Sequence, residues 1–595
     1  MTRLAENREI EQIPSAEEWE YKFVEDLSRG INVSLYPQGI DEQQLVTARN
    51  VREQEGRITL AHGYAAFGGA IRGNPRKEHQ VFFKNGSSKL VLITNLTFYE
   101  WAASPAEWQY VSNGTSTTLT VAAVATDTAL TVADITGFAD GEHIGILLDD
   151  GTQHQTTVNG APSGNTINIT DQMPSGAGIG KAVVEAVLFS GTDAVQPTIV
   201  TWSAFDKAYM ANGADTPKQY DGTTIEDISN LPGTTFVCRE VALYRDFLLL
   251  MYTIEDGTTY PQRVRWCNAG DPTAWNELEN FNDLYRTADK IVGSENLGPY
   301  HVVYKERSVV RMELVGSPNK VFDFITVVPK KGGVIAADTI IDLEDRNMIV
   351  SESNIYSYDG GFTLRPLGER IWENIFGVGG RLDPTNRTKA FLLDVVEADE
   401  AWFVYPKNGD TYPKDCLTRK HTTGAFFSRE FGVNITGFGR FQKSSAKRWA
   451  DLQGSWEQQV GPWVGSQLQA NSPTIHLCSW DTTNGQVYEI DYTKTDDAGT
   501  AISYEVETRD FYYPNRFIRT NRFEFKLAGT DVLVEYSTDE GDNWDALKTF
   551  SPGAVIQRVR HYKQIHCRTI RFRFSGSKGF TLQWIAFTWK RESVW

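Results

Sequence analysis

At 595 residues the chain is too long for one ordinary core, so it needs several domains or one large repeat architecture with appendages. Its 76 acidic and 58 basic residues give a formal net charge of -18, which argues against coating nucleic acid, because phosphate affinity comes from clustered Lys and Arg. An acidic wall past which DNA slides is compatible with that charge.

The N-terminal stretch MTRLAENREIEQIPSAEEWEYKF is polar and has no apolar h-region. The longest apolar run, FLLLMY (Phe247 to Tyr252), is far below the roughly 18 residues of a membrane span, so neither a signal peptide nor membrane insertion is expected. Aromatic residues make up 12% of the chain, glycine is frequent, and no segment carries a helical apolar stripe. The expected class is all-β.

In chain order, KLVLITNLTFYEW (Lys89 to Trp101) gives the first clear pattern: strand, small polar turn, strand with an aromatic. From Ser112 to about Glu185 the composition shifts to Thr, Ala, Gly and Val, and no Lys or Arg occurs from Val91 to Gly180. With its alternating strands and a DDG turn at Asp149 to Gly151, this stretch predicts a small β-domain, residues 112–185, inserted into an early blade. Its exit, GAGIGKA (Gly176 to Ala182), imitates a phosphate-binding loop. It lacks the first Gly (Ser175) and the hydroxyl after Lys181 (Ala182), and a strand follows instead of a helix, so it reads as a flexible exit.

The strand and turn pattern returns in AYMANGADTPKQYDGTTIEDI, with Tyr220, Asp221 and Gly222, and in SNIYSYDGGFTLRPLG, with Tyr358, Asp359 and Gly360. It returns again in IHLCSWDTTNGQVYEIDY (Ile475 to Tyr492). Tyr220 and Tyr358 are 138 residues apart, and Tyr358 and Asp491 are 133 apart, so each interval fits about three units of roughly 45 residues. The expectation is a β-propeller of about six to eight blades, occupying part of 1–111 and then 186–499. A set of unrelated sandwiches is the competing reading, since YDG is also a common tight turn. Between two predicted strands, EADE (Glu397 to Glu400) reads as a solvated hairpin turn. From residue 500 to 595, ISYEVETRDF, RFEFKL and DVLVEYSTDEGDNW alternate as strands of a C-terminal β-sandwich.

No catalytic, cofactor or metal set assembles from these motifs, and the expectation is a chain without enzymatic activity or cofactor. The five cysteines (Cys238, Cys267, Cys416, Cys478, Cys567) are odd in number and lack a CxxC pair, which predicts reduced core residues. His561, His566 and Cys567 have no carboxylate at a spacing that completes a metal site. STDEGDNW, with Ser537, Asp539, Gly541 and Trp544, resembles the Asp-box of sialidases and related propellers. In those families the box is a structural turn with the Trp beneath it, and no R-I-P segment accompanies it in this chain.

The broadest resemblance is spread along the chain. LSRGINVSLYPQGIDEQQLVTARNVREQEGRITLAHGY (Leu27 to Tyr64) resembles the opening of phage virion proteins of the tail nozzle or tail hub type. RVRWCNAGDPTAWNE (Arg263 to Glu277), followed by IVGSENLGPYHVVYKERSVVRME (Ile291 to Glu313) with its K-E-R-S turn, is similar to a second hallmark of that group. The resemblance implies a virion protein of a short, podovirus-like, non-contractile tail, assembled in the host cytoplasm. Copies, six by analogy, would surround the channel through which genomic DNA leaves, touching an adaptor and tail fibres or spikes. The basic runs RVRHYKQIHCRTIRFRF (Arg558 to Phe574) and KKGG (Lys330 to Gly333) are candidates for pairing between copies. A sialidase-like propeller enzyme and a tail-associated receptor-binding protein are the alternative readings.

Overall fold

The computed structural model describes residues 19–276, 278–317, 320–442, 473–513 and 517–591. Most of the N-terminal stretch read for a targeting signal, and Glu277, lie outside them. Among the described residues the regular structure is almost entirely strand. Among the described residues no helix is long and apolar enough to cross a membrane. Two compact units emerge: one combines residues 1–62, 418–429 and 500–595, the other 63–417 and 430–499. These differ from the boundaries read from the sequence, because strands within residues 20–60 pair with strands of the last hundred residues rather than with those at 75–110.

The larger unit is a succession of antiparallel meanders. Sheet 1 has strands Pro75–Phe82, Ser88–Thr94, Phe98–Ala103 and Ala106–Tyr110. Sheet 2 starts with Thr198–Trp202 and ends with Ile225–Asp227; sheet 3 runs from Phe236–Tyr244 to Phe281–Asp283; sheet 4 from Ile291–Leu297 to Lys320–Val328; sheet 5 from Ile340–Asp342 to Arg365–Pro366. A hairpin, Phe391–Val395 with Glu400–Tyr405, is the part of sheet 6 that lies within this unit. Sheet 7 consists of Ile435–Phe441, Thr474–Trp480 and Gly485–Asp491, and its fourth strand is the earliest of the unit, Gly63–Ile71. A single parallel bridge, Phe438 to Lys77, joins sheet 7 back to sheet 1.

Alternating apolar residues bury the two faces of each sheet against its neighbours. Sheets 1 and 2 share Val91, Phe98, Met210 and Tyr220; sheets 2 and 3 share Trp202, Tyr209, Cys238 and Leu248. Sheets 3 and 4 share Leu249, Met251, Val303 and Met312; sheets 4 and 5 share Tyr304, Val309, Ile349 and Tyr358. Sheets 6 and 7 meet through Leu393, Trp402 and Leu477, and sheets 7 and 1 through Phe67, Val487, Leu92 and Trp108. Between sheets 5 and 6 the Leu392 N–H donates to the Asp338 carbonyl at 2.7 Å.

The insertion lies between sheets 1 and 2, not within a sheet. Its first and last strands, Ser112–Thr118 and Ala182–Ala186, pair with each other, and its core draws only on residues from Leu119 to Val183. The GAGIGKA exit is structural: Gly178 N donates to Asp149 Oδ1 at 2.9 Å, and Lys181 Nζ donates to the Leu148 carbonyl at 3.0 Å.

In the smaller unit, one sheet holds Ile518–Gly529 between Phe580–Arg591 and Gly553–Cys567, and Glu20–Val24 pairs with Phe580–Arg591. A second contains Leu45–Arg49, Tyr504–Thr508, Thr569–Gly576 and Val532–Ser537. Their phenylalanines interdigitate: Phe523, Phe525 and Phe587 from the first meet Phe572 and Phe574 from the second. Gly30, the glycine of the resemblance-bearing opening, has φ +66, and a Cβ there would lie 2.4 Å from the Phe426 carbonyl, so no other residue fits unstrained.

Candidate functional site

The two YDG motifs occupy equivalent places, the turn between the third and fourth strands of sheets 2 and 5. Tyr220 and Tyr358 are buried, at 1% and 0% exposure, and each faces the preceding sheet, Tyr220 against Phe98 and Tyr358 against Tyr304. Asp221 accepts from the Thr223 and Thr224 N–H groups, both at 2.8 Å; Asp359 accepts from Gly361 N at 3.0 Å. Gly222 and Gly360 take φ +95 and +90, which the tight turn requires. The 138-residue spacing thus covers three sheets. The 133-residue interval covers only two, from sheet 5 to sheet 7; it includes residues 443–472, which lie outside the described residues.

The box at 537–544 is a separate turn in the smaller unit. Ser537 Oγ donates to Asp539 Oδ1 (2.7 Å) and accepts from Gly541 N (2.9 Å), while Asn543 donates to both Asp539 oxygens. Those hydrogen bonds from Asn543 and Ser537 hold the Asp539 carboxyl down at about 2. Trp544 is half-buried, and the Arg573 guanidinium lies 4.2 Å from its ring centroid. EADE also departs from expectation: Glu397 is exposed, but Glu400 is buried and accepts from Trp402 Nε1 at 2.8 Å. The five cysteines are free and buried. Among the described residues no group of three or more His, Cys, Asp or Glu is placed to hold a metal ion.

The K-E-R-S turn proves to be a clamp. Lys305 is fully buried, and its ammonium donates to the carbonyls of Leu284 (3.2 Å) and Thr287 (2.8 Å) and to Thr287 Oγ1 (2.7 Å), with Asp289 at 3.3 Å. Burial pushes its pKa down, and Asp289 opposes that shift. Asp289 also accepts from Arg307 N and Ser308 Oγ, so one carboxylate ties the turn to the lead-in of sheet 4.

The basic run near the C-terminus is largely spoken for within the chain. Arg558 and Arg560, with Arg522 and Tyr21, all bond Glu524, whose side chain is out of contact with solvent. Arg571 makes a two-pronged contact with Asp510 at 2.8 and 2.9 Å, and Arg573 reaches Glu535 at 2.7 Å. Lys330 and Lys331 are exposed.

The feature that sequence reasoning missed is a cavity of about 530 Å³ in the larger unit, lined from the first strand of every sheet, 1 through 7. Lys77 comes from sheet 1, Glu240 from sheet 3, Glu295 from sheet 4, Asp342 from sheet 5, Asp394 from sheet 6 and Arg440 from sheet 7, with Asp338 just before sheet 5. Lys77 donates to Asp338 at 2.6 Å and Arg440 lies 3.7 Å from an Asp394 oxygen. Glu240 accepts from Ser294 Oγ at 2.6 Å. Burial lifts the Glu240 carboxyl to about 7, with the neighbouring Glu295 and Asp338 charges adding to the rise; burial and Asp342 lift Glu295 to about 7 as well. The available signal was a single acidic residue in some of the short first strands, Glu295 in IVGSENL and Asp394 in FLLDV.

No protein-family model and no curated protein matches the chain. Among solved structures, the computationally designed Ika8 protein aligns over 72% of this chain and 100% of its own, at 9% identity and a TM-score of 0.33. AztD from Citrobacter koseri aligns over 78% and 95%, at 10% identity and 0.26. An exo-beta-1,3-galactanase from Phanerochaete chrysosporium aligns over 82% and 98%, at 9% identity and 0.21. All three are distant, and neither fold nor function is drawn from them.

Proposed function

We propose that this chain is a structural virion protein, the nozzle or hub of a short non-contractile phage tail, with copies arranged around the channel for genomic DNA. In this reading the larger unit is a seven-bladed β-propeller, sheets 1 to 7 being its blades, with a small β-domain inserted between blades 1 and 2. The smaller unit contains the C-terminal β-sandwich. Support for the propeller comes from the first strands converging on one cavity and from the earliest strand, Gly63–Ile71, completing the last sheet.

The observation that carries the functional reading is the Lys305 clamp. The segment resembling the nozzle hallmark uses its charged turn to lock a sheet and presents no reactive group, as a mechanical part requires. An excess of carboxylates over cations would keep passing DNA from sticking.

The test is the mass of the purified protein. A ring of six copies of a 66.8 kDa chain would weigh about 400 kDa, and imaging of particles would place it on the tail axis. A monomer that stays monomeric at high concentration, located at the tail periphery, would overturn the nozzle in favour of a receptor-binding role. One observation favours an enzyme, the paired carboxyls Glu240 and Glu295 lifted to about 7 inside a cavity. A glycan-cleavage screen addresses it.

A further inference from the structure

The charges on the cavity wall are divided unevenly. Lys77 is spent on Asp338 and Arg440 on Asp394. Glu240, Glu295 and Asp342, on the first strands of the consecutive sheets 3, 4 and 5, have no Lys, Arg or His within ion-pair distance among the described residues. Glu240 is 5% exposed, and while Ser294 satisfies Oε1, no donor among the described residues reaches Oε2. A buried carboxylate oxygen without a donor is uncommon and costly, and it marks a place where a donor belongs.

A second bare acceptor lines the same cavity. Asn296 Nδ2 donates to the Leu243 carbonyl at 3.0 Å, which turns its Oδ1 toward His301. His301 Nδ1 therefore carries the proton and donates to that oxygen at 2.9 Å, leaving Nε2 as an acceptor, buried and unpartnered. Burial keeps this imidazole neutral, its pKa lowered to about 3.

We propose that the cavity binds a small organic dication, an alkyl diamine, whose ammonium groups are taken by Glu240 and by the carboxylates of Glu295 and Asp342. A metal ion fits less well. A hard cation gathers six or more oxygens at 2.0–2.6 Å around one point, and no three carboxylates are so placed among the described residues. Separate carboxylates along a wall suit a ligand with separated charges. The apolar residues between them, Val241, Ile341 and Leu393, suit its methylene groups.

Binding rises with pH from 6 to 8. Glu240 and Glu295 lose their protons over that interval, while His301 stays neutral; the other charged groups facing the cavity are Lys77, Asp338, Asp342, Asp394 and Arg440.

Calorimetric titration of the full chain with 1,4-diaminobutane at pH 6 and pH 8 tests the site, with 1-aminobutane and magnesium chloride as comparators. The expected result is saturable binding of one diamine per chain, tighter at pH 8 and about tenfold tighter than 1-aminobutane. Glu240→Gln should weaken it by about tenfold or more, and Glu344→Gln, on an exposed turn, should leave it unchanged. Should Glu240→Gln fail to fold, Glu295→Gln carries the same expectation. Absence of saturable heat, equal affinity in the Glu240→Gln protein, or magnesium binding as tightly as the diamine would overturn the proposal. So would cleavage of a neutral glycan that is lost in Glu240→Gln, which would give the cavity to an enzyme instead.

Discussion

Glu524 in the smaller unit and Glu240 in the larger one are both buried glutamates on interior-facing strands, yet they are held in opposite protonation regimes. Burial pushes each carboxyl up. At Glu524 hydrogen bonds from Arg558, Arg522 and Tyr21 overcome that push and bring it to about 2. At Glu240 only Ser294, through its hydroxyl and its backbone, answers burial, neighbouring carboxylates add to the rise, and the carboxyl stands at about 7. The partners gathered around a buried charge, more than burial itself, therefore decide whether it works as a fastener or stays open to a ligand.

Glu524→Gln is expected to have the largest effect. It leaves three arginines, each a third to a half exposed, around a neutral amide, and with solvent screening discounted the loss is about 2–3 kcal/mol at pH 7. Because the folded pKa lies below the unfolded one, this contribution is present above about pH 4.5 and disappears as pH falls through about 2. Urea unfolding of both proteins across pH 2 to 7 reads it, and parallel curves at every pH would break the comparison.

Glu240→Gln should act with the opposite sign. A folded pKa raised to about 7 destabilises the native state once pH passes the unfolded value, and the full penalty is reached above about pH 7. The amide should therefore stabilise the chain by about 1–2 kcal/mol at pH 8 and by nothing at pH 4.5. Melting at the two pH values would show it, and a loss of stability at pH 8 would mean that Glu240 has a fixed cation after all.

Trp544→Ala extends the contrast to an arginine-covered aromatic. A fully buried tryptophan would cost roughly 3–5 kcal/mol; half-buried beneath Arg573 it should cost about 1–2 kcal/mol, read by denaturant titration. The smallest change belongs to Arg560→Ala. Glu524 keeps Arg522, Arg558 and Tyr21, so the melting temperature should barely move, and a large drop would show that the four donors act only as a set.

The YDG turns were readable because their chemistry is local: a buried Tyr, an Asp capping its own turn and a Gly at positive φ lie within three consecutive residues. The inserted domain was readable for the same reason, since a single contiguous stretch supplies its whole core. The sequence of the box does not say that Arg573, on another strand, lies over the Trp544 ring.

Residues close together in the chain are enough to specify the all-β class, the strand and turn grammar of the meanders and the limits of the insertion. Long-range pairing settles the rest. Glu20–Val24 pairs with the strand near residue 587, and Gly63–Ile71 closes a sheet with Gly485–Asp491, pairings that no local pattern announces. The cavity is the extreme case. Each sheet contributes side chains from its first strand, so the charge balance that leaves the Glu240 Oε2 without a donor exists only once strands far apart in sequence face one another.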